Sequence, residues 1–273
     1  MSEVARPVGV FDSGLGGLTV VRALIDLLPR QPLVYFGDTG RFPYGPKPGH
    51  EVAKYAIEIS EVLLERGVGM LVVACNSATA AALEQLQTRF DVPVIGVIDP
   101  GLRAAQSATI SGRVGVIGTV GTIRSGAYQR AARRIAPELD VVCAACPGFV
   151  EFVESGEVDS DQVYVLAERL LAPIVDADVD TLVLGCTHYP MLARTITDVV
   201  GRDVVLVSSA EETAFEVRRL LSNDAVNDDR GSIQDEAPGA EHSFVTSGDP
   251  ETFRVLGARY CGPEVATVEC FSW

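Results

Sequence analysis

Two cysteines occupy matching positions in the chain, each at the end of an apolar run of strand-forming residues. Cys75 closes the stretch LVVAC and Cys186 closes LVLGC, 111 positions later (186 − 75). A small polar residue, Asn76 or Thr187, follows each thiol, and a helix is predicted to begin there. The end of a parallel strand is where α/β proteins bind ligands, and a helix start favours the ionised form of a thiol. The pattern therefore predicts two reactive thiols with pKa values lowered from about 8.5 toward neutrality.

A structural role is the alternative for these cysteines, because free cysteine is often a buried small hydrophobe. The repeated context favours chemistry over that alternative. His188, two positions after Cys186, is a candidate for relaying the proton of that thiol. A lone histidine is also common as a packed or capping residue, so both interpretations of His188 stay open.

The segment FDSGLGG (11–17) places Asp12 and Ser13 at the end of the first predicted strand. The glycines that follow would let backbone N–H groups approach a ligand. The segment is neither G-x-G-x-x-G nor a phosphate loop with its lysine, so it does not indicate a nucleotide site. For Asp12 the alternative is a helix N-cap.

The segment GDTGRFPYGPK (37–47) is predicted to be a loop by its glycine and proline content, and it carries Tyr44. A loop of this kind often closes over a site, although a plain connection between elements is an equal alternative.

Four further cysteines are expected to be structural. Cys143 and Cys146 form a C-x-x-C, the spacing of zinc ligands and of redox pairs. Cys261 and Cys270 are too far apart to complete a tetrahedral site, so no metal is predicted. A thiol redox protein with a disulfide between Cys143 and Cys146 is one alternative function.

Composition and charge exclude several classes of protein. The 273 residues carry a formal net charge of −15, which argues against nucleic-acid binding through phosphate contacts. The sequence shows neither a secretory signal pattern nor an apolar run long enough to cross a bilayer. We therefore expect a cytoplasmic protein with free thiols and no membrane partner.

Strand-like and helix-like segments alternate along the chain, and the continuous apolar runs favour parallel strands covered on both faces. The predicted strands are 7–11, 33–36, 70–74, 92–95, 113–117, 140–143, 181–184, 242–246 and 265–270. The predicted helices are 15–28, 52–66, 76–90, 102–109, 162–175 and 251–259.

A weak internal repeat divides the chain into two halves of similar plan. RVGVI at 113–117 repeats PVGVF at 7–11 with an offset of 106 (113 − 7), close to the spacing of the two thiols. We predict one α/β domain from 1–97 plus 209–273, with the final strands completing its sheet, and a second from 98–208. The acidic segment 222–241 is predicted to be a solvated loop.

Five motifs together resemble bacterial glutamate racemase, of the cofactor-independent aspartate/glutamate racemase superfamily. They occur in the family's order and span nearly the whole chain: FDSGLGG (11–17), DTGRFPYGPK (38–47), VACNSAT (73–79), CPGFVEFVESG (146–156) and GCTHYP (185–190). The resemblance implies two related α/β domains with mainly parallel sheets and an active site in the cleft between them. It implies interconversion of L- and D-glutamate by 1,1-proton transfer, without cofactor or metal.

The resemblance also assigns roles to residues. It implies that Cys75 takes the α-proton from D-glutamate and Cys186 from L-glutamate, assisted by Asp12, Glu154 and His188. The substrate would be bound by residues from both halves of the chain: Asp12, Ser13, Tyr44, Gly45, Asn76, Ser77, Thr187 and His188.

Three positions depart from the commonest family pattern. Ser77 stands where threonine is usual, Gly40 where alanine is usual and Glu151 where proline is usual. Ser77 keeps the hydroxyl, whereas Glu151 is expected to alter packing at the cleft edge, close to Glu154 in the chain. Aspartate or hydantoin racemase is the nearest alternative activity.

Biological role and partners follow only from the resemblance. The product, D-glutamate, would supply peptidoglycan precursors. Family members form dimers of more than one arrangement and monomers also occur, so a homodimer is one expected state. Some members inhibit DNA gyrase, which makes gyrase a candidate secondary partner.

Overall fold

The computed structural model describes residues 6–226 and 240–273. The strands of these residues are β1 (Val8–Asp12), β2 (Leu33–Gly37), β3 (Met70–Val73), β4 (Val94–Gly96), β5 (Arg113–Gly118), β6 (Asp140–Ala145), β7 (Thr181–Gly185), β8 (Val205–Val207), β9 (His242–Thr246) and β10 (Val268–Cys270). The helices are α1 (Leu18–Leu27), α2 (Gly49–Glu65), α3 (Asn76–Arg89), α4 (Ile98–Ala108), α5 (Val120–Arg124), α6 (Ala127–Ile135), α7 (Phe149–Ser155), α8 (Asp161–Asp176), α9 (Ala193–Val200), α10 (Ala210–Val226) and α11 (Pro250–Cys261).

The first sheet has six strands in the order β10-β9-β2-β1-β3-β4, and each neighbouring pair is parallel. Its central strands are buried along their whole length, as expected for strands covered by helices on both faces. The last two strands join the sheet beside β2, so the prediction that the end of the chain completes the first sheet is confirmed.

The second sheet has four parallel strands in the order β6-β5-β7-β8. This order repeats the arrangement β2-β1-β3-β4 of the first sheet. The repeat suggested by the sequence is therefore a repeat of topology, in which β3 and β7 are equivalent strands. Cys75 lies two residues after the end of β3, and Cys186 follows β7 immediately.

Each sheet has a hydrophobic core on both faces. In the first sheet, helices α1, α10 and α11 cover one face while α2 and α3 cover the other. In the second sheet, α7, α8 and α9 cover one face while α4 and α6 cover the other. Helix packing on both sides leaves the carboxyl edges of the strands as the accessible place for a ligand.

Several predicted elements differ from the structure. Helices α5, α6, α7, α9 and α10 and strand β8 were not predicted. Helix α1 begins at Leu18 rather than at residue 15, because Ser13–Gly17 form bends and turns. Helix α10 extends to Val226, so the prediction that 222–241 is entirely loop is wrong at its start; residues 227–239 lie outside the described residues. No helix among the described residues has the length and apolar character needed to cross a membrane.

Candidate active site

The two thiols line one pocket, although they come from different sheets. Cys75 follows β3 and Cys186 follows β7, and both are more than nine-tenths buried. Seven other residues predicted for the site line the same pocket: Ser13, Tyr44, Gly45, Asn76, Ser77, Thr187 and His188. Asp12 and Glu154 do not line it and instead contact residues that do.

Cys75 lies at the N-terminus of α3 with its thiol donating to the Ser13 hydroxyl, at an Sγ–Oγ distance of 3.8 Å. Burial raises the pKa of Cys75 to about 12, and the negative charge of Asp12 adds to that effect. The backbone N–H of Ala78 acts in the opposite direction but is weaker. The predicted lowering of this pKa is therefore wrong, because loss of solvation outweighs the helix terminus.

Cys186 has a different local structure from the one predicted. A short 3₁₀ turn, Tyr189–Leu192, precedes α9, so no α-helix begins directly after the thiol. Its polar neighbour is His188, whose Nδ1 lies 3.9 Å from Sγ.

His188 connects this thiol to a carboxylate. Its Nε2 lies 2.7 Å from Oε1 of Glu154. Burial lowers the pKa of His188, but hydrogen bonds to Cys186 and Glu154 and the charge of Asp12 outweigh burial and raise the pKa to about 10. The raised pKa favours the protonated ring, whose two N–H groups face the sulfur and the carboxylate.

Asp12 ties the two halves of the site together from behind the pocket. Its Oδ1 accepts from the Ser13 hydroxyl and from the backbone N–H of Gly14, each at 3.0 Å. Its Oδ2 accepts from the hydroxyl of Thr187 at 2.9 Å. The N-cap alternative is wrong, since α1 is capped by Gly17 without a side-chain hydrogen bond.

The glycines after Asp12 serve close packing between the two halves. A Cβ on Gly16 would lie 2.6 Å from Nδ1 of His188, so only glycine lets the second half approach this closely. We see no phosphate-binding geometry to attribute to this segment.

Asn76 and Ser77 present polar atoms to the pocket. The Oδ1 of Asn76 accepts from the Tyr128 hydroxyl at 2.7 Å, while its buried Nδ2 has no partner among the described residues. The Ser77 hydroxyl lies 3.0 Å from that of Thr119 and 3.2 Å from that of Thr122. An unpaired buried amide is costly unless a ligand accepts from it, which marks Asn76 as a binding group.

The loop at 37–47 supplies Tyr44 and Gly45 in a way the sequence did not indicate. The Tyr44 side chain is buried and its hydroxyl donates to Asp38, so the phenol is not free to bind a ligand. The Gly45 carbonyl accepts from the N–H of Gly121 at 2.9 Å, which links the loop to the second half. Neither the N–H of Tyr44 nor that of Gly45 has an acceptor among the described residues.

Sequence reasoning missed several residues of the pocket wall. They are Phe42, Pro43, Pro46, Thr119, Val120, Cys146, Pro147, Gly148 and Val150. Glu151, expected at the cleft edge, lines the pocket as well. A signal for Thr119 was present, because GTVGT at 118–122 follows β5 as FDSG follows the equivalent β1.

The remaining cysteines give no support to a redox pair. Cys143 packs on the α4 and α6 face of the second sheet, whereas Cys146 packs on the opposite face and lines the pocket. Cys261 is buried in the first core as predicted, and Cys270 is exposed rather than buried. All six thiols are free, and the described residues hold no cluster of three metal-ligating side chains.

Comparison with known proteins assigns a family to this arrangement. A model of the Asp/Glu/Hydantoin racemase family matches residues 18–216. The chain belongs to that family. The racemase is 52% identical over 263 residues to the glutamate racemase of Acidothermus cellulolyticus, covering 96% of the chain and 97% of the relative. It is 50% identical over 270 residues to that of Mycobacterium leprae, covering 98% and 97%. The predicted enzyme class, an amino-acid racemase of the glutamate racemase type, is confirmed.

Solved structures extend the similarity to the whole architecture. The glutamate racemase isoform RacE1 of Bacillus anthracis has a TM-score of 0.90 at 40% identity, covering 99% of this racemase and 98% of that chain. The glutamate racemase of Francisella tularensis in complex with D-glutamate has a TM-score of 0.88 at 31% identity, with the same coverage. The predicted fold class, two α/β units with parallel sheets, is confirmed.

Proposed function

We propose that this racemase interconverts L- and D-glutamate by moving the α-proton between Cys75 and Cys186, without a cofactor. The observation that carries the proposal is that these two thiols, from equivalent strands of different sheets, line one buried pocket. Inversion needs a base on one face of the α-carbon and an acid on the other, and one protonation change converts a thiol from one role to the other. The relatives that share about half of the sequence are glutamate racemases, which favours glutamate over aspartate or hydantoin.

Recognition of a substrate with two carboxylates must rely on hydrogen-bond donors. Neither lysine nor arginine lines the pocket among the described residues, and the chain as a whole is strongly acidic. The donors without a partner among the described residues are the Asn76 amide nitrogen, the N–H groups of Asn76 and Ser77 at the start of α3, and the N–H groups of Tyr44 and Gly45. A helix N-terminus and oriented N–H groups hold a carboxylate without any basic side chain.

The two proton-transfer directions use the same pair of sulfurs. In the L-to-D direction the Cys186 thiolate takes the α-proton, and the Cys75 thiol donates its own proton to the opposite face of the carbanion. The reverse direction starts from the Cys75 thiolate and the Cys186 thiol. After one turnover the pair has exchanged protonation states, so a proton must return through the neighbouring groups or solvent.

Each thiol has a route for that return. The Cys75 thiol donates to Ser13, which donates to Asp12, forming a chain of hydrogen bonds away from the pocket. Cys186 is served by the His188 imidazolium and Glu154. Asp12, His188 and Glu154 are in this proposal the assisting groups.

Developing charge on the substrate is stabilised by the donors that bind its α-carboxylate. The carbanion delocalises into the α-carboxylate, so N–H groups aimed at that carboxylate bind more strongly as charge builds. The pocket walls bury the reacting atoms, and low local polarity strengthens these hydrogen bonds.

The proposed role is supply of D-glutamate for peptidoglycan in the cytoplasm. The homodimer and the gyrase partner stay predictions. The domain division at 97/98 and 208/209 is also proposed; it assigns one of the two sheets to each unit.

Incubation with L-glutamate and, separately, D-glutamate in deuterated water tests the reaction. Protein purified without added cofactor and treated with chelator should give the inverted isomer with deuterium at Cα in both directions. L-aspartate serves as the matched substrate and should turn over far more slowly. Absence of inversion, or inversion that retains the original α-hydrogen through many turnovers, would contradict the two-thiol proposal.

A further inference from the structure

The loop that carries Tyr44 and Gly45 is held by one buried carboxylate outside the pocket. Asp38 is fully buried, and its Oδ2 accepts from Nε of Arg41, at 2.7 Å, and from the Tyr44 hydroxyl. Both of these donors belong to the loop. Asp38 therefore fixes the loop's internal shape at Tyr44, which lines the pocket.

The other oxygen of Asp38 is bound by residues from beyond β9 and β10. Oδ1 accepts from the Ser247 hydroxyl and, at 3.0 Å, from the indole N–H of Trp273. Burial of a carboxylate is costly, and four donors on its two oxygens compensate that cost. The arrangement links the loop to Ser247 and Trp273, which do not line the pocket.

Trp273 also covers the loop physically. The Arg41 guanidinium carbon lies 3.4 Å from the centroid of the indole and 4.0 Å from the centroid of the Tyr55 ring. The indole packs on Phe36 and Phe271, with centroid distances of 5.6 Å and 5.0 Å. Arg41 is thus clamped between two aromatic rings while it binds Asp38.

We propose that Asp38 and Trp273 are positioning residues that set the substrate-binding backbone of the loop. The proposal rests on the proposed function in assigning Tyr44 and Gly45 to a substrate carboxylate. Neither Asp38 nor Trp273 lines the pocket, so both act through the loop. In this proposal the loop binds the side-chain carboxylate of glutamate, which takes up no developing charge. Loss of the Asp38 and Trp273 contacts therefore frees the loop and weakens a binding contact made equally in the ground state and the transition state. Such a loss raises KM and leaves kcat nearly unchanged.

Substitution of Trp273 tests this inference. Trp273→Ala removes both the stacking and the hydrogen bond and should raise KM for glutamate about tenfold, with kcat within about twofold of the parent. Trp273→Phe keeps an aromatic ring and loses only the N–H donor, so its rise should be about threefold. Phe215→Ala is the matched control, since Phe215 is also a half-exposed aromatic beside an arginine, Arg218, and should not change KM.

Asp38→Asn is a second variant of nearly identical shape that weakens the same hydrogen bonds and should raise KM in the same way. Trp273 is the single tryptophan of the sequence, so its emission reports on the loop. Glutamate should change that emission saturably, with a midpoint that shifts in Asp38→Asn together with KM. An unchanged KM in Trp273→Ala, a fall confined to kcat, or an emission insensitive to glutamate would each overturn the inference. A parent protein that fails to racemise glutamate would instead refute the proposed function.

Discussion

The environments of the two thiols differ although the strands that carry them are equivalent. Cys75 begins an α-helix and faces a hydroxyl, with the carboxylate of Asp12 beyond it. Cys186 begins no α-helix and faces the His188 imidazolium. Burial and the negative charge of Asp12 favour the neutral form of Cys75, whereas the side chain beside Cys186 is a histidine whose pKa is raised.

This difference shows that duplicated topology positions the sulfurs while their neighbours set the protonation states. A one-proton exchange needs one thiol and one thiolate at the start, and two identical environments would not select that state. Negative charge on Cys186 raises the pKa of Cys75 further, so the protonation of Cys75 depends on the charge of the other sulfur.

Replacement of one sulfur at a time should give the largest effect and separate the two environments. Cys75→Ser and Cys186→Ser should each lower racemisation by about three orders of magnitude, because serine is too weak an acid and base. The surviving sulfur should still exchange the α-hydrogen of one isomer: L-glutamate in Cys75→Ser and D-glutamate in Cys186→Ser. The measurement is proton NMR of each isomer in deuterated water.

The matched control is Cys261→Ser, a buried thiol of the first core outside the pocket. It should affect stability while both exchange reactions persist. Exchange of the same isomer by both active-site variants would contradict the assignment of one sulfur to each face.

The Gly16→Ala variant tests how closely the two halves of the site must pack together. Gly16→Ala adds a Cβ that meets Thr187 and His188 from the second half, so one half must shift. A shift of this kind misaligns the two sulfurs, and kcat/KM should fall about a hundredfold. Gly49→Ala is the control, because a Cβ at Gly49 meets nothing within 4 Å. A Gly16→Ala enzyme with parental kcat/KM would show that this contact does not set the geometry.

The sequence could predict the features of the two thiol sites that depend on neighbouring residues in the chain. It could not predict those that depend on residues distant in the chain. Strands β3 and β7 were predictable because strands buried on both faces are continuously apolar. The reactive cysteines were recognisable because the strand end and the following polar residue are local signals. The raised pKa of Cys75 was not predictable, since it arises from burial by distant segments and from Asp12 across the sheet.

Missed elements have a similar explanation. Helix α6 is rich in arginine and buries only Tyr128, Ala131 and Ala132, so its apolar stripe is short and made mostly of small side chains. Thr119 reaches Ser77 only after the two sheets have come together. Tyr44 was selected by motif, but the direction of its phenol depends on Asp38, which sequence patterns did not single out.

The Glu154→Gln variant tests whether the charge on His188 makes the surroundings of Cys186 differ from those of Cys75. Glu154→Gln removes the charge that stabilises protonated His188, so kcat should fall about tenfold and the alkaline fall of kcat/KM should move to lower pH. In the parent, the pKa of about 10 lies above the ordinary 6.5. Protonation of His188 therefore stabilises the folded protein fully below pH 6.5, and this contribution is lost as the pH rises toward about 10.

The measurements for Glu154→Gln are the pH profile of kcat/KM and thermal unfolding at pH 6 and pH 9. Glu157→Gln, an exposed glutamate nearby, is the control and should leave both unchanged. An identical alkaline limb in Glu154→Gln and in the parent would show that the charge on His188 does not depend on this carboxylate.

Glu151 gives the smallest expected effect and tests whether charge at the rim matters as much as charge beside the sulfurs. It is exposed yet lines the pocket, so its negative charge repels a substrate with two carboxylates. Glu151→Gln should lower KM for glutamate about twofold at low ionic strength, and salt should remove the difference because exposed charges are screened. Glu168→Gln, exposed on α8 and away from the pocket, should not change KM. A fall in KM that persists at high salt would mean that Glu151 acts through packing. The difference between the charged groups near Cys75 and those near Cys186 would then be the main electrostatic feature of the site.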